Sequence, residues 1–273
     1  MLEATKARVA PVSSAMLYGR GVFTTLAIYD SKPFLWPKHW QRLAEHADKI
    51  NVDLSGCTQQ SVGEAMQKLI AVNQVKYGRA RVIFLARSGQ ESWKTKAPSQ
   101  KKTDLLIMTG DVHKVPNAGL SLAVSPYRIT TASPTTGIKS LNYLDRILSR
   151  DEARSRDFDE GVVLNERGEI VSATTANIFW AKNGTLHTPT LSTGLIAGVT
   201  RECVIEISEK HFIPLLEGVY EMSDLTDADE IFLTSSVIGV APVTTFDFRR
   251  YAVDAGSVVA IIRDAFSKLI EEK

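Results

Sequence analysis

The segment from residue 160 to 189 constrains the fold of this chain most. Three β-forming stretches, EGVVLNE, IVSATTANIFWA and GTLHTP, follow one another with only short turn signals, NERG and KNG, around their junctions. Links that short return the chain on itself, and the Asn-Gly pair of KNG is favoured in tight hairpins. The middle stretch is unusual. IVSATTANIFW opens on Ile170 and Val171 and closes on Ile178, Phe179 and Trp180, but every residue from Ser172 to Asn177 is small or able to hydrogen-bond. A strand interior that only packed against a core would carry β-branched or aromatic residues there.

Strands and helices alternate over the rest of the chain. VFTTLAIYD (22–30), RARVIFLAR (79–87), TDLLIMTG (103–110) and LSLAVSPYRI (120–129) read as strands, and EIFLTSSVIGVAPV (230–243) as a strand and turn. The helix from 37 to 50 opens on Pro37 and repeats Trp40, Leu43, Ala47 and Ile50 at helical steps. Further helices are expected over 60–74, over 140–156 with Leu141, Leu144, Ile147 and Leu148 as its stripe, over 198–211 with Val204 and Ile205 inward, and over 255–272. The polar stretch 88–102 reads as a loop. GDVHKVPNAG lacks periodicity and carries Gly, Pro and Asn. The chain therefore divides into a smaller α/β domain over 1–112, a linker over 113–119 and a larger, strand-rich domain over 120–273.

Composition removes several function classes. Hydrophobic residues make up 44% of the 273 positions, enough for a substantial core, and the net charge of +1 recommends neither nucleic acid nor a membrane surface as partner. No apolar run approaches the ~18 residues of a membrane-spanning helix. The N-terminal stretch lacks the apolar centre of a signal peptide. Cys57 and Cys203 lie far apart without CxxC spacing, which points to a reducing, cytoplasmic setting rather than a disulfide framework. The histidines show no metal-ligand spacing, so no metal is expected.

Four places could carry chemistry. AGVTRE sets Gly198, Val199 and Thr200 at the start of a helix, where unpaired N–H groups favour an anion. LTSSVIG places Thr234, Ser235 and Ser236 at a strand end, and Arg42 lies on the 37–50 helix opposite its apolar stripe. An ordinary N-cap, a strand-end turn and a solvated arginine are the competing readings. Lys139 sits between a Gly/Thr/Pro-rich loop and an apolar helix, where a partly dry pocket would make it a Schiff-base nucleophile and open surface would make it one lysine among many.

The joint order of YGRGVFTT, HWQRL, GIKSLNYL, VLNERGEIVSATTANIFW, TLHTP, GLIAGVTR and LTSSVIGVAPV resembles the class IV aminotransferases, the fold-type-IV pyridoxal-phosphate enzymes. That family includes branched-chain and D-amino-acid aminotransferases and 4-amino-4-deoxychorismate lyase. The resemblance implies an α+β chain of two domains, pyridoxal 5'-phosphate in the cleft between them, and a homodimer acting on a small amino-acid-like substrate. Lys139 then matches the lysine that holds the cofactor as a Schiff base. Arg42, the Val199 N–H, Thr200 and Ser236 match its phosphate cradle. Asn177 matches the family asparagine, and Tyr143 lies one residue nearer the lysine than the ring-contacting tyrosine of branched-chain enzymes. Tyr18, Phe23 and Thr25 match substrate-pocket positions. Arg81 and Arg128 are candidates for gripping a substrate carboxylate, or structural salt-bridge partners.

One position departs from the family. Most members carry a glutamate five residues before that asparagine, paired with the pyridine nitrogen; here it is Ser172. Glu169 is three residues away, on the opposite face if the strand runs straight. A serine hydroxyl donates or accepts, so it tolerates a neutral pyridine, a poorer electron sink. This favours elimination over transamination, as does the local likeness of SPYRI and TANIFW to the lyases; Arg20, where many lyases carry an acidic residue, points the other way. Three readings stay open: the deoxychorismate lyase, a branched-chain or D-amino-acid aminotransferase, and a cofactor-binding protein with weak catalysis.

Overall fold

The computed structural model describes residues 6–87, 102–112, 119–252 and 254–272. The expected loop at 88–102 and linker at 113–119 therefore lie outside the described residues, except for Lys102 and Gly119. Two compact units are present. The first comprises Met1–His113 and Ile138–Tyr143; the second comprises Lys114–Gly137 and Leu144–Lys273.

The first unit is an antiparallel sheet in the order β2-β1-β3-β4, with β1 over Gly21–Tyr29, β2 over Lys32–Pro33, β3 over Gly78–Ala86 and β4 over Thr103–Gly110. Helices α1 (Ser14–Tyr18), α2 (Trp36–Lys49) and α3 (Gln59–Val72) accompany it. Strand alternation divides β1 into two faces. Val22, Leu26 and Ile28 join Leu43, Ala47, Val62, Met66 and Ile70 in the core, whereas Phe23 and Thr25 point away from it. The stripe expected on the 37–50 helix is the one that is buried, with Leu43 and Ala47 innermost.

The segment 138–141 lies along a strand edge, not in the helix that the leucine spacing predicts from 140, and the chain then turns tightly, with Tyr143 N donating to Leu141 O at 2.8 Å. The segment runs antiparallel beside β1: Phe23 N donates to Lys139 O at 3.1 Å and Leu141 N to Gly21 O at 3.0 Å. Strand β2 pairs only with Ile28 and Tyr29, so the outer edge of Gly21–Phe23 has unpaired backbone groups that this segment satisfies. Helix α4 follows over Leu144–Ser155. Leu144 and Leu148 of the anticipated stripe are exposed, and the small residues Ser149 and Ala153 are buried instead.

In the second unit a mixed sheet runs β10-β9-β8-β11-β12-β5-β6-β7, with β13 beside β12. Its strands are β5 (Leu120–Ile129), β6 (Glu160–Asn165), β7 (Ile170–Ala173), β8 (Asn177–Lys182), β9 (Thr185–Pro189), β10 (Leu215–Gly218), β11 (Glu230–Ser235), β12 (Gly239–Phe246) and β13 (Arg249–Arg250). Helices α5 (Val199–Lys210), α6 (Met222–Thr226) and α7 (Val258–Glu271) complete it. Ile178, Trp180, Ile231 and Leu233 share one core cluster, while Phe179 and Phe232 stack at 5.0 Å on the opposite side. Among inward residues of α5, Val204 and Ile207 are buried, whereas Ile205 is only half-buried.

IVSATTANIFWA is two strands rather than one. Thr174–Ala176 bend the chain so that β7 pairs with β6 while β8 pairs with β9 and β11. Among the described residues no helix is long and apolar enough to cross a membrane, and no cluster of three or more His, Cys, Asp or Glu is placed to hold a metal.

Gly21 has no room for a side chain: a Cβ there would stand 2.5 Å from Phe84 O and 2.6 Å from Leu141 Cδ1. Gly21→Ala is therefore expected to cost about 1–3 kcal/mol, read as a lower urea midpoint, whereas Gly56→Ala, which meets nothing within 4 Å, leaves the midpoint unchanged.

Candidate active site

Within the first unit, the pairing of 138–141 with β1 carries Lys139 onto the face of the sheet away from the helices. Its Nζ lies 4.7 Å from the Phe23 ring centroid, 4.8 Å from that of Tyr143 and 3.4 Å from Tyr143 Oη. Phe23 and Tyr143 meet edge to face at 5.3 Å. Two aromatic walls thus confine a half-buried amine, favouring its cation through their π faces while restricting water. On the same strand pair Arg81 Nε donates to Thr25 Oγ1 at 3.0 Å, and the Arg81 guanidinium lies 4.7 Å from the Phe23 ring.

Behind Lys139 stand two histidines. His46 Nδ1 accepts the Lys139 backbone N–H at 3.0 Å, which requires that nitrogen to be unprotonated. Burial, followed by the charges of Arg42, Lys49 and Lys139, pushes the His46 pKa down to about 4. Arg42 Nη2 donates to Thr24 Oγ1 at 3.0 Å, so the threonine hydroxyl is oriented to donate to His39 Nδ1, 2.7 Å away. Burial and then Arg42 and Lys139 hold His39 well below the ordinary histidine range. Arg42 is therefore not the solvated arginine of the simplest reading; it is half-buried and tied to β1.

The second unit collects the other polar candidates. Ser172, at 2% exposure, accepts from Arg146 Nη1 at 3.0 Å. Thr174 and Thr175, the centre of the polar row, both donate hydroxyls to the buried Glu160 carboxylate. Asn177 Nδ2 donates to Ile196 O at 3.0 Å and so fixes the chain entering α5. That helix starts at Gly198 without a side-chain cap, and Val199 and Thr200 are buried in its first turn. A Cβ at Gly198 would fall 2.0 Å from Asn177 Oδ1, so only glycine permits this approach. Across the sheet, Asn177 is paired with Thr234, whose buried Oγ1 has no partner among the described residues; Ser235 and Ser236 follow it.

Lys139, Tyr143, Phe23, Thr25, Arg81 and Arg42 thus fall in the first unit, and Ser172, Asn177, Val199, Thr200 and Ser236 in the second. Tyr18 also belongs to the first and is 62% exposed; Arg128 lies exposed on β5 of the second. His46, Arg146 and Glu160 were not anticipated. Glu160 at least had a signal, an acidic residue opening an otherwise apolar strand.

The family model described as "Amino-transferase class IV" matches residues 21–246. The aminodeoxychorismate lyase of Bacillus subtilis is 28% identical over 99% of this chain and 92% of its own. A D-alanine aminotransferase of Listeria monocytogenes is also 28% identical, over 84% of this chain and 79% of its own. Among solved structures, the branched-chain aminotransferase of Thermoproteus uzoniensis superposes with a TM-score of 0.90 at 27% identity, covering 100% of this chain and 92% of that one.

Because His46 is neutral when folded and titrates near 6.5 when unfolded, the unfolded chain binds more protons between those values. Stability is expected to be full above about pH 6.5 and to fall by up to roughly 3 kcal/mol as pH drops toward 4, with His39 adding in the same direction. Urea unfolding at stepped pH reads this, and His46→Gln, which keeps an acceptor but cannot charge, should flatten the decline.

Proposed function

The chain belongs to the class IV amino-transferase family, and from that premise we propose that it is a lyase releasing pyruvate and 4-aminobenzoate from 4-amino-4-deoxychorismate. Members of this family are enzymes that use pyridoxal 5'-phosphate. The residues present fit that group. An uncapped helix start, a glycine with no room for a Cβ and an unpartnered buried threonine hydroxyl suit a phosphate, and an amine between two aromatic rings suits an aldehyde.

When bound, the cofactor supplies a sink for the electrons of the bond that breaks at the substrate Cα. Lys139 would hold it through Nζ, and as a free amine Nζ would take the substrate Cα proton. The ring C–O bond then breaks as the ring becomes aromatic, and Lys139 Nζ would return the proton to the methylene carbon of the departing enolpyruvyl group, which leaves as pyruvate. Tyr143 and Phe23 keep Nζ close to its target and limit water. The Val199 N–H, Thr200, Ser236 and Arg42 would bind the phosphate, and Asn177 keeps the α5 entry in place. Arg81, with Tyr18, Phe23 and Thr25, takes the substrate side, and Arg128 is a second candidate for a carboxylate. A homodimer in a reducing cytoplasm accompanies this reading, and light scattering reads its mass.

One observation carries the choice of lyase. Among the described residues, the acidic side chains flanking Ser172 in the sheet accept from other groups, Glu160 from Thr174 and Thr175 and Glu169 from Asn165 and Arg167, and Ser172 itself is bonded to Arg146. A ring without a carboxylate partner is the weaker sink, which an elimination tolerates better than a transamination.

Incubation with 4-amino-4-deoxychorismate should release pyruvate and 4-aminobenzoate in equal amounts. Conversion of the cofactor to its aminated form by a D- or L-amino acid, without that release, would sink the lyase reading in favour of an aminotransferase. Lys139→Ala should abolish borohydride fixation of the cofactor. Gly198→Ala should weaken cofactor binding at least tenfold, about 1.4 kcal/mol, with Gly56→Ala as the neutral control. Ser172→Glu should raise any half-reaction with amino acids; an unchanged or lower rate would argue against the position of Ser172 beside the ring.

A further inference from the structure

We propose that Arg146 fixes the polarity of the hydrogen bond Ser172 offers to the cofactor ring nitrogen, so that this nitrogen is held unprotonated. The proposal rests on the reading above that Ser172 meets that nitrogen, and it names the residue that decides the protonation state. Arg146, in the first turn of α4, directs Nη1 at Ser172 Oγ at 3.0 Å and at Ala173 O at 3.4 Å.

A guanidinium has donors only and stays charged at any pH at which a protein is folded. Against it Ser172 Oγ must accept. The serine's own proton is then left to donate in another direction, and its partner there needs a lone pair. An unprotonated pyridine nitrogen has one; a pyridinium N–H does not. Two further features act in the same sense. The positive charge of Arg146 beside Ser172 disfavours a second cation next to the same hydroxyl, and the bond to Ala173 O holds the guanidinium in that position. The carboxylates that could reverse the bias, Glu160 and Glu169, accept from other groups. Arg146 is thus a positioning residue acting through Ser172, and it weakens the electron sink by design of the site rather than by loss of a partner.

The full-length protein reconstituted with pyridoxal phosphate carrying nitrogen-15 in the ring gives a direct readout by NMR, since protonation shifts that resonance far upfield. Borohydride fixation onto Lys139 is checked first on the same sample. The wild type is expected to show the unprotonated resonance across neutral pH. Arg146→Met should move it toward the pyridinium position, whereas Arg146→Lys, which keeps a cationic donor, should not. Ser172→Glu should give the pyridinium resonance even if Arg146→Met fails to fold. A pyridinium resonance in the wild type, or an unprotonated one in folded Arg146→Met, overturns the proposal while leaving the fixed cofactor standing. Failure to take up the labelled cofactor overturns both readings.

Discussion

The position of Lys139 within the first unit depends on backbone pairing between Gly21–Phe23 and the segment 138–141. Two backbone bonds, from Phe23 N to Lys139 O and from Leu141 N to Gly21 O, set the register of this segment. A third, from Lys139 N to His46 Nδ1, pins its other side to α2. With both sides of the lysine backbone tied, the side chain has one direction to leave, between Phe23 and Tyr143. The absence of a side chain at Gly21 is what lets Leu141 close over the strand. Placement of the Lys139 amine is a matter of hydrogen bonds to its main chain, with rings added around it.

The two units treat charge differently. Around Lys139 stand Arg42, Arg81 and histidines kept neutral by burial. In the second unit carboxylates are present but satisfied, and the polar row from Ser172 to Asn177 turns out to be largely occupied by the protein itself. Thr174 and Thr175 neutralise the cost of burying Glu160, and Asn177 braces the α5 entry. Only Ser172 keeps a hydroxyl proton to offer elsewhere.

Much of this was legible in the sequence where the signal was local. Helix α2 was visible from Trp40, Leu43 and Ala47, and strands β1, β3, β4 and β5 from their short apolar runs, because each element buries a face that its own spacing encodes. Spacing misled at 140–148. Leu141, Leu144, Ile147 and Leu148 fit a helix, but the unpaired edge of β1 took Leu141 into an extended segment, and Leu144 and Leu148 face outward. The bend at Thr174–Ala176 was hidden because small polar residues suit either a strand facing a ligand or a turn around a buried carboxylate. Motif order, through the family resemblance, names Lys139, Thr200 and Asn177 as candidates. It did not indicate His46 or Arg146, whose partners lie 93 and 26 residues away and carry no common motif.

The division of the chain has a consequence for how such proteins can recombine. Ile138–Tyr143 belongs to the first unit although both its flanks belong to the second. A genetic crossover in the 113–119 region would transplant the β1–β4 sheet and the rings and cations around it. The lysine that those groups surround would still come from the other parent. The edge of β1, Gly21 above all, would then meet a foreign version of the segment that closes it. Exchange at that point succeeds only between parents whose 138–143 segments match, so the short segment acts as a compatibility filter on the inheritance of the larger unit.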